Sequence, residues 1–273
     1  MKGMLFDIEH GSFVDGPGIR TAVFFKGCNL RCTWCHNPES QLLQTQLMVY
    51  RDKCIGCGAC ACQKPTCDLC GACVEACPAG ARRLVGEQWT PEAVLEEILE
   101  DVPFYGSEGG VTFTGGECML QPEFLQQLLG LCREAGIHTA VDTAGCVPWT
   151  QFEAILPLTD LFLYDVKTMD AALHKTHTGQ DNRLILENLG KLLSAGARVW
   201  VRWPVIPGVN DDPAQLLELR AFYGRYGWPE RTQLLPFHAM GENKYPALGR
   251  TYEPFAVPDA KALKELEELL LKA

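Results

Sequence analysis

The distribution of cysteine constrains this chain more than any other feature of its sequence. Eleven of its fourteen cysteines lie between Cys28 and Cys77, in a chain of 273 residues. Such a density is typical either of disulfide-rich secreted domains or of metal sites. The first residues lack the basic and apolar regions of a secretory signal. We therefore expect a cytoplasmic protein whose thiolates bind metal.

The charge balance argues against other classes of protein. Lysine and arginine total 24 against 34 aspartate and glutamate residues, which gives a formal net charge of −10. This acidic balance is unlike that of a general nucleic-acid binder or of a protein that binds a membrane surface. No apolar run approaches the roughly 20 residues that a membrane span needs. We expect neither a nucleic acid nor a membrane as a partner.

Short β-rich runs alternate with amphipathic stretches at helical spacing from residue 90 onward, which is the pattern of βα units around a parallel sheet. With one strand before the cysteines, the predicted strands are residues 21–26, 111–114, 137–141, 161–165, 199–204 and 232–235. The predicted helices are residues 91–101, 122–135, 149–156, 183–194, 213–226 and 258–272. Six strands are two fewer than a closed eight-stranded barrel needs, so we expect an α/β fold with a partial (β/α)6 barrel that is open on one side.

Residues 50–87 interrupt this alternation and are rich in Cys, Gly, Ala and Pro. The segment has no periodic apolar face, so we expect an inserted module that is held together by metal. The predicted domains are residues 1–49 and 88–273 for the two parts of the barrel, with residues 50–87 as the insert.

Three cysteines follow the first predicted strand in a C-x3-C-x2-C frame: Cys28, Cys32 and Cys35. This spacing suits one loop wrapped around one face of an iron–sulfur cluster. A 4Fe-4S cubane has four irons, so three thiolates leave one iron open to a small ligand. The alternatives are a structural zinc ion or an electron-transfer cluster with a distant fourth cysteine. The candidates for that fourth ligand are Cys118, Cys132 and Cys146.

The insert contains a second group of eight cysteines, the number that two 4Fe-4S clusters require. Residues 67–78 have the run C-x2-C-x2-C-x3-C-P of bacterial ferredoxins, whose fourth cysteine serves the other cluster. The first half of the group departs from this run, because Lys64 stands where its fourth cysteine is expected. A zinc module is the alternative, since four-cysteine zinc sites use the same C-x2-C steps.

A ferredoxin arrangement predicts how these cysteines divide between two clusters. The first cluster would be held by Cys54, Cys57, Cys60 and Cys77. The second would be held by Cys67, Cys70 and Cys73, with Cys62 as an irregular fourth ligand.

The three-cysteine frame, with Trp34 before its last cysteine, resembles the signature of the radical S-adenosylmethionine (SAM) superfamily. The flanking sequences narrow the resemblance: residues 15–20 read DGPGIR and residues 35–40 read CHNPES. Further family-like stretches are residues 114–117 (TGGE), 142–145 (DTAG), 165–167 (DVK), 202–211 and 235–238 (LPFH). Together they resemble the glycyl radical enzyme activating enzymes, the group that includes pyruvate formate-lyase activase, along nearly the whole chain.

The resemblance implies an iron–sulfur oxidoreductase that accepts one electron at its three-cysteine cluster and reductively cleaves SAM. The resulting 5'-deoxyadenosyl radical would abstract a hydrogen from a glycine of a partner, a glycyl radical enzyme. A flavodoxin or ferredoxin would supply the electron, and Asp15 would line the entrance for the partner's glycine loop. Two alternatives stay open: a radical SAM enzyme acting on a small molecule, and a ferredoxin-like electron carrier.

The resemblance also implies a ring of cofactor-binding residues, which mostly fall at the carboxyl ends of predicted strands, where parallel barrels place reactive groups. They are Trp34, His36, Gly115, Gly116, Glu117, Asp142, Thr143, Asp165, Lys167, Arg202 and His238. Taken singly, such residues also have structural explanations, as a helix cap, a turn or a buried ion pair.

The family positions imply a role for each part of this ring. Residues 115–117 would approach the SAM amino group, and residues 142–143 would lie beside its carboxylate and help bind a monovalent cation. Lys167 would meet the carboxylate, and Trp34 with His36 would pack against adenine.

Overall fold

The computed structural model describes residues 1–61 and 67–271. The strands are β1 (Gly3–Ser12), β2 (Arg20–Phe25), β3 (Gln46–Val49), β4 (Arg82–Val85), β5 (Glu87–Trp89), β6 (Gly110–Gly115), β7 (Thr139–Thr143), β8 (Leu161–Asp165), β9 (Val199–Val205) and β10 (Arg231–Pro236). The helices are α1 (Ala72–Glu75), α2 (Pro91–Glu100), α3 (Pro122–Glu134), α4 (Trp149–Ile155), α5 (Ala171–Thr178), α6 (Arg183–Ser194), α7 (Pro213–Tyr226), α8 (Lys244–Ala247) and α9 (Ala260–Leu271). None of the helices in these residues is long and apolar enough to cross a bilayer.

Eight strands form one sheet in the order β10-β9-β8-β7-β6-β2-β1-β5. The six strands that the sequence predicted, β2 and β6 to β10, run parallel to one another. Helices connect them as in successive βα units. Among the described residues β10 and β5 are the two edges, so the sheet does not close on itself. The expected partial (β/α)6 barrel is confirmed.

Several elements were not predicted from the sequence. Strands β1 and β5 extend the sheet on the β2 side by antiparallel pairing. Strand β1 carries charged, exposed residues such as Asp7 and Glu9, so its apolar alternation is incomplete. Helix α5 has little amphipathic pattern, but Asp170 caps it by accepting hydrogen bonds from the amides of Ala172 and Leu173, each at 2.8 Å.

Side chains alternate between the two faces of the sheet, as expected for period-two strands. On β9, Val201 and Trp203 pack into the main core beneath the helices, and Arg202 points to the other face. This second face, the inner face of the sheet, carries a small apolar cluster containing Leu163 and Trp200. Charged residues follow toward the carboxyl ends of the strands, so the sheet directs its polar groups to one edge.

The insert connects to the barrel through a two-stranded antiparallel pair. Strand β3 pairs with β4, and the amide of Tyr50 donates to the carbonyl of Ala81 at 2.8 Å. Met48 and Val85 from this pair pack with Phe6 of β1. The pair therefore fixes both ends of the insert against the sheet, and the domain limits at residues 50 and 87 stay a prediction.

A glycine substitution tests the packing between β8 and the turn after β7. Gly145 has φ +71°, and an added Cβ would lie 1.8 Å from the Tyr164 hydroxyl oxygen. That hydroxyl donates to the Ile185 carbonyl at 2.6 Å, so it is not free to move. Gly136 is a matched control, because it has φ +69° and no atom of the described residues lies within 4 Å of an added Cβ.

We expect both alanine substitutions to lower the free energy of unfolding, Gly145→Ala by more. Left-handed strain costs about 1–2 kcal/mol in either variant. Overpacking against Tyr164 adds about 1–3 kcal/mol in Gly145→Ala only. Anaerobic urea unfolding measures the difference, and equal losses in the two variants would contradict the packing described here.

Candidate active site

The loop of residues 28–35 leaves β2 at the carboxyl edge of the parallel sheet. The amides of Arg31 and Thr33 donate to carbonyls at the end of α5, at 2.7 and 2.9 Å. Leu30 is buried and anchors the middle of the loop. The unpredicted helix α5 therefore holds the three-cysteine loop in place.

The loop places three half-buried thiols close enough to one another for their charges to interact. Burial raises the pKa of Cys32 to about 12, and the neighbouring Lys167 ammonium opposes that effect. Burial likewise raises the pKa of Cys28 and of Cys35. Three thiolates are therefore stable here only beside a strong positive charge, and iron ions supply such a charge, because a metal ion deprotonates a coordinating thiol. The donor set thus fits an iron–sulfur cluster.

A layer of four charged side chains lies on the inner face of β7, β8 and β9. Arg202 Nη1 is 3.2 Å from Asp142 Oδ2, and Arg202 Nε is 3.9 Å from Asp165 Oδ1. Lys167 forms an ion pair with Asp165, and Thr114 donates to Asp142 at 2.7 Å. Burial lowers the pKa of Lys167, but the pKa is raised overall, chiefly by the Asp165 carboxylate, and Lys167 therefore stays a cation. We call these four residues, Asp142, Asp165, Lys167 and Arg202, the charged layer.

The charged layer has polar atoms without hydrogen-bond partners. Among the described residues, Asp165 Oδ1 and Arg202 Nε form no hydrogen bond, and Arg202 Nη1 has only its ion pair with Asp142. Buried polar groups are normally satisfied, so such atoms indicate a ligand with complementary donors and acceptors. SAM carries an amino group, a carboxylate and a ribose, so the residues present fit it.

Gly115 and Gly116 make a close backbone contact at the end of β6. A Cβ on Gly115 would lie 2.3 Å from the Phe25 backbone, and one on Gly116 would lie 2.3 Å from the Gly27 carbonyl oxygen. Gly115 also has φ +117°, which disfavours other residues. These glycines bring β6 against the start of the cysteine loop, a packing role that the family resemblance did not specify.

Glu117 is 1% exposed, and its carboxylate accepts three hydrogen bonds. The donors are the Thr143 hydroxyl at 2.8 Å, the Ala144 amide at 3.0 Å and the Met119 amide at 3.2 Å. Burial raises the pKa of Glu117 to about 7, and these hydrogen bonds oppose the increase. The Glu117 and Thr143 side chains therefore tie the ends of β6 and β7 together beside the charged layer.

Aromatic side chains flank the cysteine loop on the side of β10. Trp34 is 5% exposed and packs against His177 and Phe255, with ring centroids 5.6 and 6.0 Å away. His36 stacks on His238 at 3.9 Å, and its Nε2 atom donates to the His238 carbonyl at 2.7 Å. The His36–His238 pair therefore offers the more accessible aromatic surface, while Trp34 mainly supports the loop. The sequence did not assign His177 to this site.

Asp15 lies in the turn between β1 and β2, where a buried network fixes it. Ser12 donates to Asp15 Oδ2 and Thr112 donates to the Asp15 carbonyl, both at 2.6 Å. Arg20 is fully buried, and it donates to Thr112 at 2.5 Å and to the Pro17 carbonyl at 3.2 Å. The sequence did not assign a role to Arg20, although an arginine that opens a strand after two turn glycines was the available signal.

The cysteines of the insert line two cavities that share one wall. One is lined by Cys54, Cys57, Cys60 and Cys77. The other is lined by Cys60, Cys67, Cys70 and Cys73. Cys62 lies outside the described residues, so the structure says nothing about the predicted irregular ligand.

The distant cysteines lie in the barrel. Cys118 and Cys132 are fully buried and belong to the main apolar core, and half-buried Cys146 packs against that core. In residues 1–61 and 67–271, no three His, Cys, Asp or Glu side chains converge in the geometry of a single-ion site. A cubane distributes its thiolates over separate irons, so its ligands need not converge on one point.

Comparisons with known proteins agree with this geometry. A model of the radical SAM superfamily matches residues 22–220. The chain is 41% identical over 275 residues to the (2S)-3-sulfopropanediol dehydratase activating enzyme of Klebsiella oxytoca, covering 92% of this chain and 87% of that protein. It is 42% identical over 277 residues to the choline trimethylamine-lyase activating enzyme of Oleidesulfovibrio alaskensis, covering 92% and 88%.

A solved structure has the same fold. A domain of pyruvate-formate lyase-activating enzyme from Bacteroides vulgatus matches with a TM-score of 0.52 and 32% identity, over 60% of this chain and 93% of that domain. The three-cysteine loop, the charged layer and the partial barrel agree with what these relatives indicate. This chain belongs to the radical SAM superfamily and, within it, to the activating enzymes of glycyl radical enzymes.

Proposed function

We propose that this activating enzyme binds SAM between its three-cysteine loop and the charged layer. The observation that carries the proposal is the position of Lys167, which pairs with Asp165 and acts electrostatically on Cys32. The charged layer therefore lies within electrostatic range of the cluster loop. Cys28, Cys32 and Cys35 would hold the cluster, which would supply the electron for reductive cleavage of SAM and so the radical chemistry directed at the partner's glycine.

The charged layer would bind and orient the polar end of SAM. Lys167 would bind the SAM carboxylate, because an ammonium and a carboxylate form a charge-assisted hydrogen bond. Asp165 Oδ1 would accept from SAM, since that buried oxygen has no hydrogen-bond partner among the described residues. Burial raises the pKa of Asp142, and Arg202 opposes that increase. A monovalent cation beside Asp142 would compensate the same charge.

The open edge of the sheet would admit the partner's glycine loop. Strands β10 and β5 are not paired with each other in the described part of the chain, so the barrel is open laterally. Asp15 is held rigidly in the turn between β1 and β2 and interacts electrostatically with Asp142 and Arg202. A backbone amide of the incoming loop would donate to Asp15.

The insert would hold two auxiliary 4Fe-4S clusters, because one cavity is lined by the four cysteines of the first predicted set and the other by the three regular cysteines of the second. A flavodoxin or a ferredoxin would deliver the single electron that each turnover needs. Free thiols in this number suit a reducing compartment, so we also propose that the protein is cytoplasmic.

Iron content tests the separation of the cluster sites. Anaerobically reconstituted protein should hold about 12 irons per chain, four for each of three clusters. Cys32→Ser should keep about eight irons and lose SAM cleavage, because the two groups of cysteines lie in separate loops. Cys146→Ser is the control and should keep all of the iron and the cleavage activity. About four irons with bound zinc in the unmodified protein would contradict the two auxiliary clusters.

Replacing Lys167 tests the SAM site. Lys167→Met should weaken SAM binding about 10- to 100-fold, because a charged hydrogen bond contributes about 1.5–3 kcal/mol. Titration of SAM against the electron paramagnetic resonance (EPR) spectrum of the reduced cluster measures the change. Lys175→Met, on the exposed side of α5, is the control. Unchanged affinity in Lys167→Met would place SAM elsewhere.

Replacing Asp15 tests the partner entrance. Asp15→Ala should weaken binding of a glycine-loop peptide from the partner by about 1–3 kcal/mol through loss of a hydrogen bond to the charged carboxylate. Iron content and SAM cleavage without partner should not change. Asp7→Ala, which removes an exposed carboxylate of β1 that pairs with Arg83, is the control. A small metabolite consumed together with SAM, without a glycyl radical on any partner, would show that the substrate is a small molecule.

A further inference from the structure

Arg82 occupies a position between the two cysteine-lined cavities of the insert. It is the first residue of β4 and lines both cavities, as Cys60 does. It belongs to none of the sequence motifs, and the barrel site does not use it. Among the described lining residues, Arg82 is thus the cation common to both of the sites in which we propose auxiliary clusters.

The Arg82 side chain lies among cysteines of both ligand sets. It lines one cavity together with Cys73, assigned to the second set, and the other together with Cys77, assigned to the first, while Cys60 lines both. Next to Arg82, the Ala81 amide donates to the Cys77 sulfur of the first set at 3.3 Å. The start of β4 therefore supplies hydrogen-bond donors to cysteines of both sets.

The strand itself determines which of two neighbouring arginines faces the sulfur atoms. Side chains alternate along β4, so Arg82 and Arg83 point to opposite sides. Arg83 pairs with Asp7 of β1, with its Nη2 atom 3.1 Å from Asp7 Oδ2, and it also contacts the Phe6 carbonyl. Two consecutive arginines thus face opposite sides of β4. Of the two, only Arg82 lines both cysteine-lined cavities.

We infer that Arg82 is a shared redox-tuning residue that raises the reduction potential of both auxiliary clusters. The inference rests on the proposed pair of clusters in the insert. Each cluster gains one electron from the reductant when it is reduced, and no bond forms or breaks. The reduced cluster is the more negative state, so a nearby guanidinium stabilises it relative to the oxidised state. Hydrogen bonds to the sulfur atoms act in the same direction.

The test compares Arg82→Gln with Arg83→Gln in the full chain, reconstituted anaerobically with iron and sulfide. Both variants remove one positive charge from adjacent positions of the same strand, so long-range electrostatic effects are matched. A third variant, Arg82→Lys, keeps the charge and removes the guanidinium hydrogen bonds. Redox titration with dithionite, followed by EPR, gives the midpoint potential of each cluster, and SAM addition identifies the signal of the barrel cluster.

We expect Arg82→Gln to shift both auxiliary potentials to more negative values, and Arg82→Lys to shift them by less. Arg83→Gln should leave them close to those of the unmodified protein, and the barrel cluster should not change in any variant. Equal shifts in Arg82→Gln and Arg83→Gln, or a shift in one auxiliary cluster only, would overturn the inference.

Iron content separates this result from a failure of the proposed clusters. Unmodified protein that holds only the barrel cluster would overturn the two-cluster insert, and the role of Arg82 with it. Unmodified protein with three clusters whose potentials do not respond to Arg82→Gln would overturn the tuning role alone. If Arg82→Gln fails to retain iron, Arg82→Lys takes its place, and auxiliary potentials equal to those of Arg83→Gln would overturn the role of the Arg82 guanidinium.

Discussion

The packing of four charged side chains on the inner face of the sheet, each only 13–22% exposed, is the constraint on which the active site depends. Arg202 projects from β9 between two carboxylates, Asp142 on β7 and Asp165 on β8, and Lys167 completes the balance. A buried charge is tolerated only when a partner lies close, so these strands must keep their register for the layer to exist. Because Asp165 Oδ1 and Arg202 Nε form no hydrogen bond within the described part of the chain, the layer can still bind a polar ligand.

The cysteine loop depends on segments that are distant in the chain. Its amides bind to the end of α5, and Gly115 and Gly116 allow β6 to press against its first residues. Glu117 then joins β6 to β7 through the Thr143 hydroxyl. These contacts form one rigid frame around the cluster loop and the charged layer. Pre-organisation of this kind lets a protein orient a cofactor that performs the difficult chemistry itself.

The stability of the insert depends on different interactions from those of the barrel. It has little apolar material of its own, and the β3–β4 pair attaches it to the barrel. Its cysteines line two neighbouring cavities, with Cys60 and Arg82 common to both. In our proposal, metal binding supplies the stability that a small core cannot, and Arg82 links the electrostatics of the two clusters.

The sequence by itself determined the α/β class, the six parallel strands and the three-cysteine loop. Those signals are local, since apolar periodicity and C-x3-C-x2-C spacing need only a short window of residues. Family resemblance added the residues of the charged layer, but not how they pair. Tertiary structure alone decided that Glu117 accepts from Thr143, that α5 supports the cysteine loop and that Arg20 anchors the turn of Asp15 through Thr112, 92 residues away. Such contacts join segments far apart in the chain, and a pattern within one segment carries no information about which distant group will satisfy its buried polar atoms.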